Sequence, residues 1–156
     1  MRTAVRAAVV LVAAAVAVVL LRDVVVQTVR IGSDSMAPTL RRGDTALLDK
    51  ITLRVRDPRR QDLVAFRSPQ DGELTVKRVV GVAGDVVELR DAVLYVNGVR
   101  TDEPQVDLVA DDGTWFGPVT VPAGAVFLMG DNRSASIDSR AYGAVPVADA
   151  IGRVFD

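Results

Sequence analysis

From Gly43 onward the chain is cut into short segments rich in Val, Leu and Thr, separated by turn signals. That punctuation points to a mainly β body. Thr45 to Leu48, Asp62 to Phe66, Leu74 to Val82, Val86 to Leu89, Val119 to Val121 and Ala125 to Met129 read as strands. Val93 to Val96, then Asn97-Gly98, then Val99 is a hairpin signal, because Asn-Gly accepts the positive φ of a type I′ turn. Val145 to Phe155 closes the chain as a strand or short helix. Arg54 to Arg60, around Asp57-Pro58, reads as a solvated basic loop. Residues 100–118 read as a reduced surface excursion, acidic and weakly patterned from Arg100 to Asp112. Trp115-Phe116 within it is either a core plug or a membrane-dipping tip. So many short strands predict a folded-over antiparallel sheet or a barrel.

The N-terminus has a different character. Ala7 to Leu21 is uncharged and apolar and is bracketed by Arg6 and Arg22. As helix these residues span about 22 Å, and apolar neighbours on both sides extend them toward the roughly 30 Å of a bilayer core. The arginines could then snorkel to the headgroups. A cleaved secretory signal shares the basic start and the apolar length. Cleavage, however, needs small residues just past the run, where Leu20, Leu21, Arg22, Asp23 and Val24 stand. The run also lacks the polar face of a helix buried in a soluble domain. Residues 1–26 are therefore expected to be an uncleaved membrane anchor, and residues 27–156 a β-rich domain beyond it. Arg22, Arg30, Arg41 and Arg42 after the run leave the orientation open.

Composition removes whole classes of chemistry. The chain has no histidine and no cysteine. A Ser-His-Asp triad and a thiol nucleophile are both impossible, and a Cys/His metal centre has no ligands. No metal or other cofactor is expected. Net charge is −1, from 19 basic and 20 acidic residues, so there is no bulk basic field for nucleic acid. A serine nucleophile here would need a lysine, a carboxylate or a terminal amine as its base.

The chain has two lysines, Lys50 and Lys77; every other basic residue is arginine. Lysine can lose its proton when buried, whereas arginine effectively cannot. Lys77 sits among Val76, Val79 and Val80 in an expected strand. Its free pKa is about 10.4. An apolar pocket can lower that far enough for the amine to act as a base near neutral pH. Alternatively Lys77 reaches solvent past the strand edge, or pairs with Asp44 or Asp85. The candidate nucleophile is Ser35, in Ser33-Asp34-Ser35-Met36-Ala37-Pro38-Thr39-Leu40. Pro38 disfavours helix at Ala37 and leaves Ser35 on an irregular segment. Taken by itself, such a serine reads more readily as a turn or cap residue than as a nucleophile. Gly130 to Gly143 is a third polar stretch, in which Asp138 and Arg140 could pair and stiffen a loop.

Together these blocks resemble the bacterial type I signal peptidases, the Ser-Lys membrane proteases that cleave signal peptides from exported preproteins. The resemblance covers nearly the whole chain. It rests on Ser33 to Leu40, Gly43-Asp44 with Arg56-Asp57-Pro58 and Asp62 to Phe66, Lys77 to Gly81 with Gly84-Asp85, and Gly130 to Arg140. It implies the family's barrel-like fold with one N-terminal transmembrane helix, and a catalytic domain on the extracytoplasmic side of the cell membrane. By that similarity Ser35 is the nucleophile and Lys77 the general base. The Ser33 hydroxyl and the Ser35 N–H would form an oxyanion hole. Ser136 would aim the Lys77 amine, and Asp138 and Arg140 would brace it. Ile31, Met36, Leu40 and Val76 match positions lining shallow pockets for small side chains. The implied partners are exported preproteins and membrane lipid, with no nucleic acid. Asp34 stands where the family commonly has glycine, and a carboxylate there should point away from Lys77. A related self-cleaving Ser-Lys protease and an inactive peptide-binding relative are the competing readings.

Overall fold

The structure, a computed structural model, describes residues 6, 9–13, 16, 25–108 and 113–155. The strands are β1 (Val26–Arg30), β2 (Thr45–Asp49), β3 (Leu63–Arg67), β4 (Leu74–Val82), β5 (Val86–Arg90) and β6 (Val93–Val96). They continue with β7 (Val99–Arg100), β8 (Phe116–Thr120), β9 (Ala125–Met129), β10 (Val145–Pro146) and β11 (Ala150–Phe155). Single helical turns occupy Thr52–Val55 and Ser139–Tyr142. A seven-stranded sheet runs in the order β1-β2-β11-β3-β4-β9-β10, and a four-stranded sheet in the order β7-β6-β5-β8. Every strand pair in both is antiparallel.

Side-chain alternation explains the layers. In β9, Ala125, Phe127 and Met129 enter a core shared with Val80, Val87, Leu89 and Leu94, which joins the two sheets. Val126 and Leu128 point the other way, into a core with Val64, Phe66 and Val79. A side chain as large as Phe127, fully buried, contributes roughly 1.5–3 kcal/mol. A third core holds Val29, Ile31, Met36, Leu40, Leu48 and Val76. The register of β4 against β9 shifts between Val79 and Gly81. A Cβ on Gly81 would lie 2.5 Å from Val87 Cγ2, so only glycine lets the second sheet pack at this bend.

β1 and β4 are separated by three strands in the sheet order, yet both border one groove. The sheet is therefore curled, in line with the folded-over architecture expected. The Asn97-Gly98 turn has positive φ at both residues, the conformation this dipeptide favours.

Arg54 to Arg60 is exposed at five of its seven residues, as a solvated segment should be, but it is not free. Thr52–Val55 is a helical turn, Arg56 pairs with Asp62, and Arg60 pairs with Asp85. The stretch 100–118 is not all surface, because Glu103 and Val106 are buried and Phe116 begins β8. Of Trp115 and Phe116, Phe116 packs against the core. Trp115 is 70% exposed, while Phe116 packs on Phe127 with ring centroids 5.5 Å apart.

Most of the expected anchor, residues 1–26, lies outside the described residues. Its described members from 6 to 16 are helical and exposed. Among the described residues no helix is long and apolar enough to cross a membrane.

Candidate active site

Ser35 lies in the connection between β1 and β2. The hairpin is pinned at its neck by Ile31 N–H to Asp44 O at 2.9 Å and Gly43 N–H to Ile31 O at 2.8 Å. Beyond the neck the chain turns back on itself, with Ala37 N–H donating to Asp34 O and Leu40 N–H to Met36 O. Met36 and Leu40 drop into the core and anchor this turn. Ser35 itself is 7% exposed.

Lys77 is in the middle of β4, paired with Val64 of β3, and is 3% exposed. Its Nζ lies 2.6 Å from Ser35 Oγ, a buried hydrogen bond between residues 42 apart in sequence. Asp44 and Asp85, weighed as partners for Lys77, are engaged elsewhere: by Arg41 N–H, and by Arg60 and Asn97. Burial pushes the Lys77 amine below the ordinary lysine value. The Asp138 carboxylate opposes that shift, the Arg140 guanidinium adds to it, and Asp131 opposes it again. A lysine so placed can exist as a free amine and accept a hydroxyl proton.

The polar loop after β9 closes over the pair. Asn132 N–H donates to Ser35 O, and Asn132 Nδ2 donates to Asp34 O. Gly130 makes this approach possible, since a Cβ there would lie 2.3 Å from Ser136 Oγ and 2.5 Å from Ser35 O. Asp138 is 1% exposed. It accepts from Gly130 N–H, Ser136 Oγ and three nitrogens of Arg140. Burial works to raise the Asp138 pKa, but the hydrogen bonds and charge of Arg140, with the Gly130 and Ser136 donors, hold it below the usual carboxylate range. Arg140 Nη2 also donates to the carbonyls of Arg133 and Ser136, which ties the loop across itself.

The other expected residues fall around this centre. Ser33 Oγ is 3.2 Å from Ser35 Oγ. Ser136 donates to Asp138, and the Lys77 amine donates to Ser35, so Ser136 meets the lysine's surroundings through that carboxylate. Asp34 turns outward, accepting from Arg42 N–H. Ile31, Met36 and Val76 line a groove of about 450 Å³ that runs from Val29 past Ser35 to Leu74. Leu40 does not line it; its side chain is packed in the core below Met36. Among the described residues no cluster of acids could hold a metal ion.

This chain matches the family profile described as signal peptidase, peptidase S26, over residues 4–155. The protein belongs to that family. It is 37% identical to a probable signal peptidase I-2 of Synechocystis, over 86% of this chain and 64% of the relative. It is 34% identical to thylakoidal processing peptidase 1 of Arabidopsis thaliana, over 86% of this chain and 42% of that protein. Against signal peptidase I of Bacillus caldolyticus the identity is 34%, over 77% of this chain and 72% of the relative. The chain thus spans about two fifths to two thirds of the first two curated relatives' own lengths. The crystal structure of a signal peptidase I from Enterococcus faecalis superposes with a TM-score of 0.58 at 34% identity, covering 64% of this chain and 98% of that one.

Three residues beside this candidate site, Arg78, Asp131 and Thr39, carry bonds that the sequence reading did not assign. Arg78 binds Asp131 through Nε and Nη2 at 2.8 and 2.6 Å, and Thr39 Oγ1 donates to the same carboxylate at 2.5 Å. The network joins β4, the polar loop and the Ser35 turn. Its members are up to 92 residues apart, so no local pattern announces it.

Proposed function

We propose that this protein is a membrane-bound serine endopeptidase that removes N-terminal signal peptides from exported preproteins. The observation that carries the reading is the buried 2.6 Å contact between Lys77 Nζ and Ser35 Oγ. The unprotonated amine takes the Ser35 proton as Oγ attacks the scissile carbonyl. The Ser33 hydroxyl and the Ser35 N–H stabilise the oxyanion; such donors are worth roughly 3–4 kcal/mol of barrier each. The Lys77 ammonium returns the proton to the leaving amine. It then activates a water that hydrolyses the acyl-enzyme.

The substrate runs as an extended strand through the groove between the Ile31–Met36 segment and Leu74–Lys77, bonding main chain to main chain. Ile31, Met36 and Val76 shape shallow sites for small side chains, and Leu40 supports their floor. Asp138 and Arg140 act through the loop, and Ser136 through Asp138, to keep the lysine in place. Residues 1–26 anchor the protein in the cell membrane as a single span, with residues 27–156 on the extracytoplasmic side. The uncharged run Ala7 to Leu21 supports that arrangement.

The test is preprotein cleavage by S35A and K77A in membranes or detergent, with circular dichroism as the control for folding. Both variants should be folded and inactive. Cleavage retained by either one would remove the assignment.

A further inference from the structure

One buried charge near the site takes no part in the chemistry above. Glu103 follows β7, and its side chain is 3% exposed. Its Oε1 accepts from Arg133 Nη2 at 2.6 Å, and the Arg133 side chain is 2% exposed. A guanidinium keeps its proton at any working pH, so burying one without a counter-charge is very unfavourable. The loop's own acids are taken: Asp131 by Arg78 and Thr39, Asp138 by Arg140. Glu103, 30 residues away, supplies the missing charge.

Arg133 is built into the loop that closes over Lys77. Its Nε donates to Gly130 O at 2.9 Å, and its carbonyl accepts from Arg140 Nη2 at 2.6 Å. Arg140 holds Asp138, and Asp138 holds Ser136 and the Gly130 N–H. A continuous set of contacts therefore runs from Glu103 to the groups around the lysine. The pair is joined by a single leg. Glu103 Oε2 and Arg133 Nη1 have no hydrogen-bond partner among the described residues. The hold thus rests on one charge-assisted bond rather than the forked pair arginine can make.

We propose that Glu103 is a positioning residue, which fixes through Arg133 the loop 130–140 that braces Lys77. The catalytic consequence rests on the Ser35–Lys77 reading; the hold on the loop does not. The test compares E103Q, which keeps the shape and loses the charge, with E103D, which keeps the charge, in the full chain. Hydrogen exchange should accelerate at least about tenfold at the Gly130 and Asn132 amides of E103Q, with β9 unchanged. In preprotein cleavage kcat should fall at least about tenfold, KM should stay within about threefold, and E103D should fall between E103Q and the parent. Should E103Q fail to fold, E103D against the parent carries the same two readouts. Unchanged exchange in the loop overturns the proposal. So does acceleration spread evenly through β9, which would make Glu103 a general stabiliser, or an E103D no better than E103Q. If the parent enzyme cleaves nothing while the local exchange result holds, the peptidase reading fails and the hold on the loop stands.

Discussion

Replacing Asp138 by Asn tests how the loop serves the lysine. The carboxylate uses both oxygens. Oδ1 accepts from Arg140 N and Nε, and Oδ2 from Gly130 N, Ser136 Oγ and Arg140 Nη2. An amide can present only one oxygen, so either rotamer sets its NH₂ against at least two donors. The charge pairing with Arg140 is lost as well. Breaking a buried pair on one side costs about 3–5 kcal/mol. At about 2–4 °C per kcal/mol for a chain of this size, D138N should melt roughly 6–20 °C lower. Asp138 also raises the Lys77 pKa, while burial and Arg140 lower it. Without the carboxylate the amine is easier to deprotonate, so the acid limb of kcat/KM should move to lower pH even as kcat falls. The assays are thermal melting by circular dichroism and the pH profile of preprotein cleavage. A melting point within about 2 °C of the parent, or an acid limb displaced upward, would refute the reasoning.

G130A inserts a methyl where Ser136 Oγ would be 2.3 Å away, and should lose about 1–3 kcal/mol in urea unfolding together with most of the cleavage activity. M36A empties a 2%-exposed position beneath the groove; it should cost about 2–5 kcal/mol and relax the preference for small side chains, read from a panel of cleavage-site variants. Asp85 should contribute to stability in a pH-dependent way. Burial works to raise its pKa, but Arg60, Val82 N–H and Asn97 together lower it to about 2. Because the folded value lies below the unfolded one, the contribution is full above about pH 4 and is lost as pH falls toward 2. Arg60 is 44% exposed, so screening limits the effect to about 1 kcal/mol. The stability gap between the parent and D85N should therefore narrow over that window in denaturant titrations, and a constant gap would contradict it.

Much of the sheet was readable because its strands are short runs rich in Val, Leu and Thr that end at turn residues; Leu74–Val82 and Ala125–Met129 have the expected bounds. β8 was placed too late, at Val119 to Val121 instead of Phe116–Thr120, because Gly117-Pro118 looks like a break. Proline is tolerated there because β8 is the edge of its sheet and its missing N–H leaves no partner wanting. Composition narrowed the base for a serine to lysine, a carboxylate or a terminal amine, and the Ser35–Lys77 pairing itself was legible through the resemblance of the motif blocks to the signal peptidases. The supporting ion pairs were not. Arg78–Asp131 and Arg133–Glu103 join segments 53 and 30 residues apart, and isolated charges in a sequence look like solvated surface. The β4–β9 pairing, with Arg78 opposite Met129, brings the first pair together, and packing of the segment after β7 on the loop after β9 brings the second.

The central claim is that one amine is kept free of its proton beside one hydroxyl. With only Lys50 and Lys77 in the chain, selectively labelled lysine gives two ammonium signals, and K50R assigns them. An NMR pH titration of Lys77 in the intact enzyme should give a value well below the free lysine value of about 10.4. An amine that titrates like free lysine would contradict the account.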